Sequence, residues 1–450
     1  MKYTWRQWRW ILLWGINLVI IFAVWSAVSL PLMSTGYTAL MLGFSRLAAL
    51  LAGYTLLVQL WLIGRGKWLE ADFGLDKLTR IHRWNGFAAV LLVLVHVPTI
   101  LLAYAPVYNV QIPQVLPILM GNFEDITKAL IAEILLFIVA GSSLVIARRR
   151  LRYEWWYYVH LATYLIILLA VGHQLSNGKE ILALPWFKAY WMGLYVITAA
   201  SVLYYRFFLP FWKWNKHKFR VARVVHETKG VSSIYLRGQN LQNFHYEAGQ
   251  FAKYWFVAKG YWLEEHPFSF SVEPNGQELR ITYKNVGDFT AKLDRIPIET
   301  PVVVDGPYGR FTSELATQRR LVFVAGGIGI TPIRAMLGEL EQAGDKRELW
   351  LFYTARSVDD LALRREIELL AKDVKLKLRY VITEGEAKGK GMTQELLTAE
   401  ILKREVGTLE QTDFYICGPP SLMTALRSQL VDAGVARELI HYEQFSLVKR

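Results

Sequence analysis

Cysteine is almost absent from this sequence, which contains one, Cys417, among 450 residues. A single cysteine excludes an internal disulfide and a metal site built from several thiolates. Charged residues are also scarce: they form 20% of the chain, against roughly 25% in soluble proteins, whereas apolar residues form 53%. The composition therefore excludes a disordered chain, a collagen and a small disulfide scaffold.

Acidic residues are fewer than basic ones, 38 against 51, which gives a formal net charge of +13. Such an excess is also found in nucleic-acid-binding proteins, but many basic residues here lie in short clusters between long apolar runs. Clusters of this kind are typical of loops on the cytoplasmic side of a membrane. We therefore expect this charge to face a lipid bilayer and not a nucleic acid.

Six apolar runs precede Phe211, and each is close to the roughly 20 residues that cross a bilayer as a helix. The runs are Ile11–Leu32, Thr38–Ile63, Gly86–Tyr104, Lys128–Ala147, Trp156–Leu175 and Ala189–Leu209. Basic clusters lie before the first run, in the second and fourth connections and after the sixth run. This uneven distribution of basic residues predicts a multi-pass protein of the cell (inner) membrane with both termini in the cytoplasm. The first run is too long for a cleaved signal peptide.

The pattern changes after Phe211. Short alternating segments bounded by turn residues predict the strands of an antiparallel β-barrel. From Arg320 onward, apolar strands alternate with helices, which is typical of an α/β domain with a parallel sheet. We therefore expect a multidomain chain: a six-helix transmembrane bundle over residues 1–212, the barrel over 213–315 and the α/β domain over 316–450.

Four of the nine histidines lie in or beside the third and fifth runs: His82, His96, His160 and His173. Ionisable residues at membrane depth are functional candidates, and imidazole is a common axial ligand of haem iron. His82 and His96 are separated by 14 residues, or ~21 Å of helix, and His160 and His173 by 13 residues, or ~20 Å. Two facing helices with these spacings predict two haems, an inner one held by His82 and His160 and an outer one held by His96 and His173. The alternative is packed histidines bonded to backbone carbonyls.

The 13-residue spacing raises a difficulty, because it places His160 and His173 ~140° apart around an ideal helix. The sequence therefore predicts a local departure from straight α-helix between them, which Gly172 would permit. Arg46 lies in the outer half of the second run, where it either snorkels to the interface or neutralises a haem propionate or an anionic product.

Three strings in the predicted barrel are suited to a flavin. HPFSF supplies His266, Pro267, Phe268 and Ser269 at a strand start, where the Ser269 hydroxyl reaches the flavin edge. KNVGDFT supplies Lys284, Gly287 and Thr290, and its helix start suits a pyrophosphate. AGQF precedes these strings and DGPYGRF follows them. Each string alone also suits a turn with a buried aromatic side chain, but their order favours an FAD site.

Two further strings are suited to a nicotinamide nucleotide. VFVAGGIGITP is a strand that opens onto glycines and a helix start, with Gly326, Gly327, Gly329, Thr331 and Pro332 as candidate contacts of the pyrophosphate. It is not the GxGxxG fingerprint. CGPP follows the last predicted strand, at the edge where such sheets bind ligands, with Cys417, Gly418 and Pro419 as candidates. Cys417 would lie near the nicotinamide C4, unless it is only a small core residue.

The choice between NADPH and NADH is expected to depend on Arg356, which follows a predicted strand in the string YTARS. An arginine there pairs with a 2′-phosphate, unless it is a solvated loop residue. The chain ends in HYEQFSLVKR, a segment that alone would be read as a frayed tail.

Taken together, these motifs resemble those of the NADPH oxidase/ferric reductase superfamily, especially its short bacterial NADPH oxidase homologues. The resemblance covers nearly the whole chain and implies FAD, two b-type haems with the histidine pairing given above, and NADPH or NADH as the electron donor. It also implies that Phe445 stacks on the flavin and that Glu443 anchors this segment or assists hydride transfer. The sequence departs from some relatives: it has no EF-hand loop, and Ile100 stands where animal oxidases carry a further histidine.

The resulting expectation is a transmembrane oxidoreductase that passes electrons from cytoplasmic NAD(P)H through FAD and two haems to an extracytoplasmic acceptor. Dioxygen, reduced to superoxide, is the first choice of acceptor, and a ferric or cupric chelate is the alternative. Less favoured are an electron feeder for a periplasmic repair reductase and a six-helix transporter with a regulatory nucleotide domain. No obligatory protein partner is implied.

Overall fold

The computed structural model describes residues 4–144, 150–151, 153–261, 264–387, 389 and 391–443. These residues divide into two compact units, one ending at Phe207 and the other beginning at Phe208. The predicted end of the fourth run at Ala147 and the aromatic Phe445 lie outside the described residues.

The first unit is helical. Among the described residues, six helical stretches are long and apolar enough to span a membrane, as predicted, and the sixth continues to His217 of the second unit. Its helices are α1 (Trp5–Val28), α2 (Tyr37–Ile63), α3 (Lys67–Phe73), α4 (Leu75–Tyr108), α5 (Ile112–Asn122), α6 (Ile126–Ser143), α7 (Tyr153–Asn177), α8 (Lys179–Ala183) and α9 (Pro185–Val202). The short helices α3, α5 and α8 were not predicted, because none is long enough to cross a bilayer. The chain is therefore a multi-pass membrane protein.

Helix α4 is longer than the apolar run from which it was predicted. It begins eleven residues before Gly86, at Leu75, and continues through Pro98 and Pro106. His82 therefore lies on the same continuous helix as His96. Among the described residues α4 packs most extensively on α2, and α6 packs most extensively on α7.

After α9 the backbone widens into a π-helix over Leu203–Phe208, which leads into α10 (Leu209–His217). Pro210 explains the change, because proline has no backbone N–H to donate and its ring crowds the carbonyl four residues earlier. The boundary between the two units lies within this π-helix.

The second unit begins with two antiparallel sheets of three strands. Their orders are β1-β2-β5 and β4-β3-β6, and isolated bridges such as Phe270–Ile281 supplement them. The strands are β1 (Arg220–Thr228), β2 (Val231–Arg237), β3 (Phe251–Phe256), β4 (Glu265–Ser269), β5 (Leu279–Lys284) and β6 (Val302–Tyr308), with α11 (Asp288–Leu293) between the last two. We call this part the barrel lobe. Its core is rich in aromatic side chains, including Phe219, Tyr254, Phe256 and Phe270.

The remainder forms one parallel sheet of order β10-β9-β8-β7-β11-β12 with helices packed on it, and we call it the parallel-sheet lobe. Its strands are β7 (Arg320–Gly326), β8 (Glu348–Ala355), β9 (Lys377–Ile382), β10 (Met392–Thr393), β11 (Asp413–Cys417) and β12 (Ile440–Glu443). Its helices are α12 (Ile330–Gln342), α13 (Arg364–Asp373), α14 (Ala399–Val406) and α15 (Pro420–Asp432). The predicted fold class is confirmed.

Strand β12 was not predicted, because its sequence IHYE is short and half polar. A hydrogen-bond contact with a buried carboxylate holds it: His441 Nε2 lies 2.8 Å from Asp413 Oδ1. The other oxygen of Asp413 accepts hydrogen bonds from the backbone N–H groups of Thr317 and Gln318, at 2.7 Å each. The C-terminal strand is thereby attached to the sheet beside Cys417.

Candidate functional site

The four membrane histidines form two pairs between α4 and α7. The ring centroids of His82 and His160 are 6.0 Å apart, with an angle of 58° between the ring planes. His173 lies within electrostatic range of His96. Each pair thus brings one side chain from the third span to one from the fifth, in the predicted pairing.

Helix α7 is nevertheless unbroken α-helix from Tyr153 to Asn177. The predicted departure from α-helix between His160 and His173 is therefore wrong. The α-helix continues through Gly172 without interruption.

The glycine at position 172 has a different use. A Cβ atom there would collide with the carboxylate of Asp125. Asp125 precedes α6 with a left-handed backbone, φ +62°, and forms an ion pair with Lys128 at 2.6 Å. Gly172 therefore lets an acidic side chain approach α7 beside His173. Asp125 was not predicted from the sequence, because no motif marks it.

Hydrogen-bond partners of the Nδ1 atom orient two of the histidines. His96 Nδ1 lies 2.9 Å from Ser45 Oγ and 3.1 Å from the Ser45 carbonyl oxygen, and His160 Nδ1 lies 3.3 Å from Ser143 Oγ. A histidine that ligates a metal usually has its second ring nitrogen held in this way. The Nδ1 atoms of His82 and His173 are buried and make no hydrogen bond of good geometry, although the two residues lie near the carbonyls of Gln59 and Ala170.

These residues are compatible with haem. His82 and His160, whose ring centres lie 6.0 Å apart, would hold a haem iron through their imidazole nitrogens. Among the described residues, α4 and α7 are not close-packed against each other. Groups of three or more metal-ligating side chains are absent from the described residues, so the histidines are arranged as pairs.

Arg46 has a partner within the protein. Its Nη1 donates to the hydroxyl of Ser29 at 3.3 Å, and that hydroxyl donates to Glu180 Oε1 at 2.5 Å. Ser29 and Glu180 are each 1% exposed. Arg46 is therefore tied to a buried carboxylate on α8, a contact that the sequence analysis did not anticipate because Glu180 is far away in the chain.

The predicted flavin string HPFSF forms strand β4. Ser269 Oγ is buried and has no hydrogen-bond partner, which a bound ligand would supply. His266 stacks on Phe289 of the second string, with centroids 3.7 Å apart, while Phe268 is half-buried and Pro267 is exposed. The structure thus brings two of the predicted flavin strings together.

The second flavin string forms the end of β5 and the start of α11. Thr290 Oγ1 accepts hydrogen bonds from the N–H groups of Val286 and Gly287, at 3.0 and 3.1 Å, so it shapes this turn. Lys284 is the last residue of β5 and is half-buried. These residues are compatible with a flavin nucleotide: the turn is folded and the Ser269 hydroxyl lacks a partner.

The two nicotinamide strings meet at the carboxyl ends of β7 and β11. A Cβ at Gly329 would collide with the carbonyl oxygen of Cys417, and one at Gly326 would lie 2.6 Å from Pro419 Cδ. A Cβ at Gly418 would lie 2.8 Å from Gly326 Cα. Glycine is therefore required for the two loops to touch, whereas Gly327 has open space and a left-handed φ of +53°.

The start of α12 is firmly built. Thr331 Oγ1 donates to the Ile328 carbonyl at 3.1 Å, and Thr331 and Pro332 are buried. The helix therefore presents backbone N–H groups at the edge of the parallel sheet where nucleotides bind.

Cys417 is fully buried in β11, and its thiol lies 3.8 Å from the Glu443 carbonyl oxygen. Burial, with a contribution from the charge of Glu443, raises the pKa of the Cys417 thiol well above its ordinary value. The group is therefore a thiol and not a thiolate at neutral pH. Glu443 ends β12, paired in register with Cys417.

Arg356 follows β8 and is exposed, with 62% of its side chain accessible. Its Nε lies 3.7 Å from Asp360 Oδ2, which also accepts a hydrogen bond from Ser357 Oγ at 3.1 Å. Arg356 is therefore accessible to a ligand at this edge of the parallel sheet. To bind one, it would give up its weak ion pair with Asp360.

Three family models match successive parts of the chain. Residues 48–171 match the ferric reductase like transmembrane component, residues 216–312 an FAD-binding domain, and residues 323–428 the oxidoreductase NAD-binding domain. The first match includes three of the four membrane histidines, His82, His96 and His160, and ends two residues before His173.

Similar proteins correspond to about half of the chain. A flavohemoprotein of Bacillus subtilis is 28% identical over 52% of this chain and 60% of that protein. The reductase component of a Mycolicibacterium goodii propane 2-monooxygenase is 27% identical over 50% of this chain and 66% of that protein. The chain thus spans less than two thirds of either relative.

Among solved structures, the FAD/NAD-binding domain of a Vibrio cholerae nitric oxide dioxygenase gives a TM-score of 0.45, with 24% identity over 51% of this chain and 98% of that one. The order of the three family matches, together with six helical stretches among the described residues that are long and apolar enough to span a membrane, matches the architecture of the NADPH oxidase/ferric reductase superfamily.

Proposed function

We propose that this protein carries electrons from cytoplasmic NAD(P)H across the cell (inner) membrane to an extracytoplasmic acceptor. The observation that carries the proposal is the arrangement of two facing histidine pairs on two spans of a chain that also has FAD- and NAD-binding domains. The distribution of basic residues supports the orientation, with both termini in the cytoplasm.

The histidine pairs would hold two b-type haems, which when bound accept and donate single electrons. His82 and His160 would hold the inner group and His96 and His173 the outer one. The protein contributes ring orientation through Ser45 and Ser143. Arg46, fixed by Ser29 and Glu180, would supply a positive charge toward a propionate or an anionic product.

The barrel lobe would hold FAD, which when bound takes up a hydride and passes electrons on singly. Ser269 would donate or accept at the flavin edge, and the turn at Lys284, Gly287 and Thr290 would face the pyrophosphate. In the parallel-sheet lobe the backbone at Gly326, Gly327, Gly329, Thr331 and Pro332 would hold the nucleotide, with Gly418 and Pro419 closing the site. Cys417 and Glu443 would lie beside the nicotinamide, and Phe445 would stack on the flavin until the nicotinamide displaces it.

We propose dioxygen as the acceptor and superoxide as the product. If each haem were held by two histidines, the acceptor would be reduced without binding to the metal. A ferric or cupric chelate is the second candidate, since the ferric-reductase-like match is consistent with it. No obligatory protein partner is proposed.

The acceptor is tested with pure protein supplied with NADPH or NADH. We expect oxygen consumption together with cytochrome reduction that superoxide dismutase abolishes. Ferric-chelate reduction under argon is measured in parallel. Full-rate ferric turnover with negligible oxygen consumption would refute dioxygen and favour the metalloreductase.

The nicotinamide preference is tested with Arg356→Ala. Because the exposed guanidinium is proposed to pair with the 2′-phosphate, we expect KM for NADPH to rise by about tenfold, as for the loss of one charged contact, while KM for NADH is nearly unchanged. Steady-state kinetics with both nucleotides measure the two values. Arg365→Ala serves as the control, since Arg365 is also an exposed arginine of this lobe but lies within α13. An equal rise for both nucleotides would show that Arg356 does not read the 2′-phosphate.

A further inference from the structure

Four charged side chains of alternating sign join the barrel lobe to the parallel-sheet lobe. Glu273 and Arg280 belong to the first lobe, and Arg334 and Glu366 to the second. Arg280 Nη1 lies 2.6 Å from Glu366 Oε1, and Arg334 Nε lies 2.8 Å from Glu366 Oε2. Arg334 Nη1 also contacts the Glu273 carboxylate. The chain of contacts crosses between the lobes twice, and we call these four residues the lobe clamp.

The lobe clamp is largely shielded from water. The exposed fractions of the side chains are 3% for Arg280, 12% for Arg334, 14% for Glu273 and 32% for Glu366. Burial acts to raise the pKa of Glu366, but the hydrogen bond and charge of Arg280, together with Arg334, hold that pKa below its ordinary value. Removing the central carboxylate would leave two arginines without their shared partner, one of them buried.

On the barrel side, the lobe clamp is attached to the candidate flavin strand. Arg280 Nε donates to Ser271 Oγ at 3.1 Å, and its Nη2 donates to the Ser271 carbonyl. Ser271 lies two residues after Ser269, whose buried hydroxyl has no partner. A shift of Arg280 would therefore move the end of the strand that carries the flavin candidates.

On the other side, the lobe clamp is attached to the nucleotide loop. Arg334 lies one turn into α12, three residues after Thr331. One turn further along, a Cβ at Gly338 would collide with the Glu273 carboxylate, so glycine leaves room for that side chain to reach α12. The helix that begins at the nicotinamide loop is thus held against the barrel lobe.

We propose that the lobe clamp, with Glu366 as its central positioning residue, sets the distance between the flavin ring and the nicotinamide. The inference rests on the proposed function. The step that the lobe clamp would position is the transfer of a hydride, one proton with two electrons, from C4 of NAD(P)H to the flavin. The flavin is reduced and the nicotinamide is oxidised. Such steps need the reacting atoms about 3–3.5 Å apart, and a displacement of about 1 Å can lower the rate about 100-fold.

The test uses Glu366→Gln in the full-length, FAD-loaded protein, because glutamine keeps the shape and removes the charge. Anaerobic stopped-flow absorbance measures the limiting rate of flavin reduction by NADPH, which we expect to fall about tenfold or more, whereas NADPH and FAD affinities change by less than about twofold. Hydrogen exchange should accelerate together in segments 269–273 and 330–342.

Glu368→Gln is the matched control, since Glu368 lies on the same helix and pairs at 2.7 Å with Arg364 of its own lobe. We expect this variant to keep the wild-type rate and exchange. If Glu366→Gln does not fold, Glu366→Asp, which keeps the charge on a shorter side chain, is scored by the same criteria.

Two results would overturn the positioning role. One is a lower melting temperature with an unchanged limiting rate, which would leave the lobe clamp a stabilising contact only. The other is unchanged hydrogen exchange in both segments. If NAD(P)H does not reduce the flavin of the wild-type protein, the proposed function is refuted instead. Hydrogen exchange alone would then test the lobe clamp.

Discussion

Replacing His96 and His173 together by alanine is expected to remove the proposed outer haem and leave the proposed inner one. His173 of α7 lies within electrostatic range of His96 of α4, while the rings of His82 and His160 face each other separately at 6.0 Å. The two sites lie about 20 Å apart along the helices, so the loss of one does not dismantle the other. We expect haem content to fall to about half, and electron transfer across a vesicle membrane to fall to background.

Haem content is measured by pyridine haemochromogen absorbance, and transmembrane transfer by reduction of an impermeant external acceptor. Flavin reduction by NADPH should persist, because the FAD- and NAD-binding domains are unchanged. His245→Ala is the control, since His245 is exposed in the barrel lobe and should retain full haem content. A double variant with unaltered haem content would show that His96 and His173 do not hold the group.

Periodicity predicted most of this architecture, because the relevant signals are local. The spans, the strands and the glycine-rich loops each depend on residues within one short segment, and the six-span bundle and the parallel sheet were found as predicted. The prediction for α7 was wrong, because the angle between His160 and His173 around an ideal helix was taken to require a distorted backbone. The helix continues as α-helix through Gly172, where the glycine instead leaves room for the Asp125 carboxylate.

Contacts between distant segments could not be predicted from local patterns. Glu180 is linked to Arg46 through the hydroxyl of Ser29, although Ser29 and Glu180 are 151 residues apart in the chain. Glu366 joins Arg280 across 86 residues, and nothing in its helix distinguishes it from Glu368. Strand β12 was missed for a similar reason, because its place in the sheet depends on Asp413, which lies in another strand.

Gly329→Ala is expected to have a second large effect, this time on the donor side of the pathway. A Cβ at this position would collide with the Cys417 carbonyl oxygen and lie 2.8 Å from the Gly418 nitrogen. Both are backbone atoms, which cannot rotate away as a flexible side chain can. The two nicotinamide loops must therefore separate, and we expect NADPH-driven flavin reduction to fall by about 100-fold.

Stopped-flow absorbance measures this loss, and dithionite provides a second reading because it reduces haem without the nucleotide site. In Gly329→Ala dithionite reduction should remain complete, which would locate the defect at the nicotinamide loops. Gly344→Ala is the control for the conformational preference of glycine, since Gly344 has a φ of +61° and no atom near its missing Cβ. That variant adds backbone strain without a collision, so its flavin-reduction rate should remain near that of the wild type. If Gly329→Ala also kept that rate, the contact between the loops would not be needed to hold the nucleotide, and the candidate site would have to lie elsewhere on the sheet edge.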